Sequence, residues 1–331
     1  MVEVLDLRQF RSAALEPLLR AEAAEWSRVL DWDYSASADL IRQYVEARIL
    51  NGYVLADRVR GRLQPFGYGF FIYEAHKAMI GSIFVAEARR DSARSQEREL
   101  LRHMLATMQA TPTLERIEAQ LMPFAPQALA AGFAETDFAS YRRVFLELGL
   151  GGPAPPAPEA PAELEIEAWG GVRYEEAAQL ILDAYQGHID SRINDQYRTF
   201  QGAMRFMHNI AHYPGCGNFD ASASFVARAR ASGQLEGLVL ASRVKPEVAH
   251  ITQVCVLPAR QRRGLGRTLI THSLAALRAS GLRAATLTVT GDNTRARSLY
   301  RQLGFMPLTE FDAYVWEKRE TSAADTPPGV E

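Results

Sequence analysis

Residues 256–267, Val-Leu-Pro-Ala-Arg-Gln-Arg-Arg-Gly-Leu-Gly-Arg, hold the side chains and spacing best suited to chemistry in this chain. The apolar run 251–257 reads as a strand that stops at Pro258. After the basic turn, Thr268, Leu269, Ile270, Leu274 and Leu277 repeat with the helical period. A strand that feeds a glycine turn at a helix start gathers the first unpaired N–H groups on one point. The helix dipole adds about half a positive charge there. Gly264 and Gly266 allow positive φ and close backbone approach, and Arg262, Arg263 and Arg267 bring donors shaped for phosphate oxygens. The ligand expected here is a diphosphate. A Walker loop would need Gly-Lys-Ser/Thr, but Arg267 and Thr268 follow Gly266. A dinucleotide fingerprint would need a third glycine where Leu269 stands.

A second constellation follows about thirty residues on. Gly281 ends the helix, 285–290 alternates as a strand, and Gly291-Asp292-Asn293 forms a turn able to cap the helix 294–302. The pair Gln261-Arg262-Arg263-Gly264-Leu265-Gly266 and Asn293-x-x-Ala296-x-x-x-Tyr300-x-x-Leu303-Gly304-Phe305 resembles, in order and spacing, the two halves of the acetyl-CoA site of the GNAT N-acyltransferase superfamily. The resemblance covers residues 164–319.

The resemblance implies an α/β (α+β) fold whose mixed, mostly antiparallel twisted sheet is flanked by helices. It implies acetyl-CoA as co-substrate, held by Gln261 to Arg267 (Leu265 included) and by the Asn293 amide. The pantetheine arm would lie along Val254, Cys255 and Val256 as a pseudo-strand. The reaction implied is direct attack of an amine on the acetyl thioester in a ternary complex, with Tyr300 as the acid for the departing thiolate. Many relatives carry a basic glutamate on one of the two central strands. Here one strand offers only Thr286, Thr288 and Thr290, and the other offers His250, with Glu247 at its start. His250 is therefore the candidate base, with ordered water as the alternative.

The acceptor wall of such a fold falls on 186–197, a polar stretch between apolar helices. Asp190 and Asp195 are candidates to hold a cationic amine, and Asp195 is equally suited to cap the next helix. The expected partner is a small-molecule amine. An acyl-CoA sensor without chemistry and a protein N-terminal acetyltransferase are the alternatives. His208 and His212 stand at i and i+4 with Cys216 behind, superficially like a zincin pair. Asn209 replaces that motif's glutamate and Pro214 stops the helix, so no metal is expected.

Composition narrows the class. With 47% apolar and 23% charged residues the chain is ordinarily globular, and a net charge of −2 argues against nucleic acid or an anionic membrane as partner. Two cysteines give no disulfide framework. There is no long apolar run and no signal-like N-terminus, so the expected location is cytoplasmic. A homodimer is compatible with the sequence.

At 331 residues two domains are expected. The segment 149–161 is rich in Pro, Ala and Gly and reads as a semi-rigid linker (150–163), and 320–331 reads as a disordered tail. Across the linker the chain repeats itself. Gly132-Phe133 and Gly304-Phe305 lie 172 residues apart, and Asp137-Phe-Ala-Ser-Tyr141 faces Glu310-Phe-Asp-Ala-Tyr314 at nearly the same shift. Residues 1–149 are expected to form a degenerate copy and 164–319 the catalytic one, an arrangement similar to mycothiol synthase-like proteins. The shift puts Ser92 and Arg94 on Gly264 and Gly266, and Ala128 on Tyr300. The first copy then lacks both the glycine turn and the acid.

Overall fold

The chain threads one run of elements twice. The computed structural model describes residues 2–152, 158 and 161–318; the expected linker falls largely, and the expected tail wholly, outside them. The first pass contains β1 (Val2–Asp6), α1 (Ser12–Leu30), α2 (Ser35–Glu46), β2 (Asn51–Val59), β3 (Arg62–Glu74) and β4 (Lys77–Val85). It continues with α3 (Ser95–Gln109), β5 (Arg116–Gln120), α4 (Ala130–Ala134) and β6 (Ala139–Gly149). The second contains β7 (Leu164–Ala168), α5 (Tyr174–Tyr185), α6 (Asp190–Ile193), α7 (Phe200–His212), β8 (Asn218–Phe219), β9 (Phe225–Ala229) and β10 (Leu235–Lys245). Then come β11 (Val248–Val256), α8 (Leu265–Ala279), β12 (Ala284–Thr290), α9 (Thr294–Gln302) and β13 (Met306–Glu317).

All strands join one 13-stranded sheet in the order β1-β2-β3-β4-β5-β13-β6-β12-β11-β10-β9-β7, with β8 paired to β10. The last strand of each half lies in the other half's sheet. β13 pairs with β5, and residues 143–149 of β6 pair with the whole of β12. The final strand therefore closes the first half. At the centre β6 and β13 run antiparallel, with Ser140 opposite Tyr314 and Tyr141 opposite Ala313. The sequence repeat maps these two pairs onto each other, so the molecule has an approximate internal dyad there.

The repeat extends to irregularities. A bulge at Gly81 in β4 is matched by one at Thr252 in β11. Just before each bulge the parallel pairing to the next strand stops, at Ile80 with Ala119 and at Ile251 with Leu287. Beyond Ile251 the edge of β11 facing β12 is unpaired, and the two strands splay.

Packing fixes the splay. On one face of the second half Leu265, Leu269, Ile270, Leu274 and Leu277 of α8 are fully buried with Val144, Leu146, Val239 and Leu287. Each such side chain contributes about 1.5–3 kcal/mol. On the other face α5 and α7 cover β10 and β11 through Ile181, Phe206, Met207 and Leu238. Residues 195–212 do not form one continuous helix. One 3-10 turn, Asp195–Tyr197, precedes α7, whose start is capped by Thr199 Oγ1 accepting from Gly202 N–H at 3.0 Å. Among the described residues no helix is long and apolar enough to cross a membrane.

Candidate active site

A cleft of about 780 Å³ opens where β11 and β12 part. At its mouth the turn into α8 has the expected form. Gly264 is left-handed at φ 85°, as the turn requires, and is the N-cap of α8. The amide hydrogens of Leu265, Gly266 and Arg267 lack helical partners by position, and Thr268 N–H is the first to bond back, to Gly264 O at 3.0 Å. Gln261 braces the turn: its Nε2 donates to Val256 O at 3.1 Å, and its Oε1 accepts from Arg295 Nη1 at 2.8 Å. The cleft wall includes Gln261, Arg262, Gly264, Leu265, Gly266 and Arg267, with the open edge of β11 at Val254, Cys255 and Val256. Arg263 is exposed and not in the wall.

Deeper in, Tyr300 of α9 lines the cleft. Its hydroxyl has no hydrogen-bond partner among the described residues. Burial and then the nearby Asp190 charge push its pKa upward, against a lowering by Arg143, so the phenol holds its proton. Asn293 also lines the cleft, but its oxygen caps α9 by accepting from Ala296 N–H at 3.1 Å, and its amide nitrogen lies 3.3 Å from His188 Nε2.

His250 lines the cleft without being the ordinary imidazole expected. It is 8% exposed, lies 5.0 Å from the Trp32 ring and 5.5 Å from Phe145, and its Nδ1 is 2.9 Å from Thr286 Oγ1. Burial, aided by the Arg143 charge, pulls its pKa down to about 3. The ring is uncharged at neutral pH and weakly basic, so it is poorly suited to the base role.

The two acidic candidates part company. Asp190 stands in the wall, accepting from Arg143 Nη1 at 3.0 Å and from Thr290 Oγ1. Asp195 lies outside it. Its carboxylate takes a hydrogen bond from buried Lys77, and its N–H donates to Glu118 Oε1 at 2.9 Å. Beside it Gln120 Nε2 donates to Asn194 Oδ1 at 2.7 Å and Arg116 Nη2 to Arg192 O at 2.8 Å. The loop 190–198 is thus pinned to β4 and β5 of the other half. His208 and His212 are exposed and pack against Tyr174, and among the described residues no group of three or more His, Cys, Asp or Glu could hold a metal.

Several wall residues escaped sequence reasoning because they come from the first half: Trp32, Gln120, Met122 and Arg143. Only the strand exchange brings Arg143 there, and the sequence carries no signal for it.

The corresponding place in the first half is closed to about 20 Å³. There α3 starts from Arg94, left-handed at φ 54°. Arg94 is therefore the counterpart of Gly264, two residues away from the sequence alignment. Three positions on, Glu97 is fully buried and accepts from Arg94 Nη1 at 2.9 Å.

Doubled fold, splayed strands and glycine turn together define a class. Residues 190–305 match the acetyltransferase (GNAT) family. The chain as a whole has a tandem GNAT architecture. It is 31% identical over 156 residues to the mycothiol acetyltransferase of Beutenbergia cavernae, covering 46% of this chain and 49% of that protein. It is 32% identical over 189 residues to that of Gordonia bronchialis, covering 54% and 55%. The chain spans about half the length of the curated relatives it matches. A GCN5-related N-acetyltransferase from Sphaerobacter thermophilus superposes with a TM-score of 0.63 over 96% of this chain and 95% of that one, at 16% identity. A tandem GNAT protein from the clavulanic acid biosynthesis pathway does so with 0.58 over 97% and 100%, at 18%. At these identities the likeness is one of fold.

Proposed function

We propose that the protein is an acetyl-CoA-dependent N-acetyltransferase acting on a primary amine of a small molecule. The observation that carries this reading is one continuous cleft lined by the glycine turn, the open edge of β11 and the unpartnered Tyr300. In this reading the turn holds the coenzyme diphosphate and β11 pairs with the pantetheine arm. The amine nitrogen attacks the thioester carbonyl carbon, the C–S bond breaks, and sulfur leaves with the proton of Tyr300. The proton lost by nitrogen passes to water in the open cleft, because His250 is too weakly basic to take it. The relatives named mycothiol acetyltransferases support a small-molecule acceptor.

In the same reading the first half is not catalytic. Its cleft is nearly closed and Glu97 puts a negative charge at the start of α3. The test is thiol release from acetyl-CoA against amine and peptide panels. Amine-dependent release supports the reading. Coenzyme binding without transfer to any acceptor would make the protein a sensor, and transfer confined to peptides would make it a protein acetylase.

A further inference from the structure

Arg143 is more than nine-tenths buried, and its guanidinium is only partly used. Nη1 donates to Asp190 Oδ1 at 3.0 Å and to Thr290 Oγ1 at 2.6 Å, while Nε has no hydrogen-bond partner. Nε is closed off from the cleft, so with Nη1 occupied the edge left to a ligand is the one at Nη2, whose N–H groups suit charge-assisted hydrogen bonds to a carboxylate.

The backbone makes this edge rigid. Arg143 lies on β6 between Thr290 of β12 and Phe311 of β13, paired on both sides. Beside it Asp190 Oδ2 has only a distant neighbour, His188 Nδ1 at 3.6 Å. A cation with Nη2 free next to an anion with a free oxygen complements a zwitterion: the ammonium faces Asp190 and the carboxylate faces Arg143. Both lie in the same wall as Tyr300.

We propose that Arg143, delivered by the exchanged strand of the first half, binds the carboxylate of an α-amino-acid acceptor whose amine is directed by Asp190. This rests on the acyl-transfer reading above and names its acceptor class. The first half then contributes a specificity residue to the second half's site.

The test uses the full chain and matched triples built on alanine, serine and phenylalanine: the amino acid, its amide, and the amine lacking the carbonyl group. The wild type should favour the acid over the bare amine by about tenfold or more in kcat/KM. Arg143→Met should reduce that preference to about threefold or less, through KM for the acid, with the acetyl-CoA Kd unchanged. Arg143→Lys keeps the charge without a second nitrogen beyond the one held by Asp190 and Thr290, guards against a folding defect, and should also lose most of the preference. Equal rates across a triple, preference for the amide, or preference surviving in both variants would overturn the inference and leave the acyl-transfer reading intact. If no triple releases thiol, that reading fails instead. Calorimetric binding of the same acids to the CoA-loaded wild type, lost in Arg143→Lys, then supports the inference, and no such binding overturns it.

Discussion

Glu97 occupies, in the third position of α3, the place that Arg267 holds in the third position of α8. The two helices start from equivalent left-handed residues, so the repeat carries opposite charges at one point beside the helix N-terminus. An anion there gains from the dipole and from Arg267 in the second half; in the first, the buried Glu97 already takes that place, paired with Arg94. Reversing Arg267 to Glu should therefore weaken coenzyme A binding by about tenfold or more, whereas Glu97→Gln should leave it unchanged. Calorimetry on both variants checks this, and equal effects would contradict it.

Tyr300 should matter to chemistry and not to coenzyme affinity. Tyr300→Phe is expected to lower kcat by about tenfold to a hundredfold with the acetyl-CoA Kd within about twofold. A drop in affinity with kcat preserved would make the residue a packing group on α9.

The depressed His250 pKa makes a prediction about stability. The unfolded chain binds a proton near pH 6.5 and the folded one only near pH 3, so this contribution to stability is present above 6.5 and fades as pH falls toward 3. By pH 4.5 the loss from this group is about 2–3 kcal/mol. Denaturant melts at pH 7 and 4.5 should show His250→Gln losing less on acidification than the wild type. The same variant should keep kcat within about tenfold, since the ring is not the working base. A kinetic limb near pH 6.5 that disappears in the variant would restore the base role.

Lys77 joins the halves beneath the loop 190–198. It is 3% exposed and meets Glu118, Glu74 and Asp195. Lys77→Met leaves Asp195 without its cation, while Glu118 keeps Arg116 and Glu74 keeps Arg205, and should cost about 3 kcal/mol, read as a fall in Tm. Turnover should suffer more than coenzyme affinity, because the loop 190–198 is released while the turn at Gly264 is untouched.

What the sequence disclosed follows the range of each interaction. The turn at Gly264 and the cap at Asn293 are set by neighbours a few residues away, and residue type alone revealed them. The place of Asp195 is not legible in the sequence because its partner, Lys77, is 118 positions distant. The burial of His250 is not legible either, because it is due to Trp32 and Phe145 of the other half. The internal repeat was readable from Gly132-Phe133 and Gly304-Phe305. The exchange of β6 and β13 was not, since a strand's residues fit either neighbour and only tertiary pairing selects one. The same nonlocality hid Arg143.

The central claim concerns the amides that open α8, and hydrogen exchange reads those amides directly. On saturation with coenzyme A, the segment 261–268 should gain protection while 92–98 should not change. Binding without added protection at 261–268, or with protection at 92–98 instead, would contradict the account.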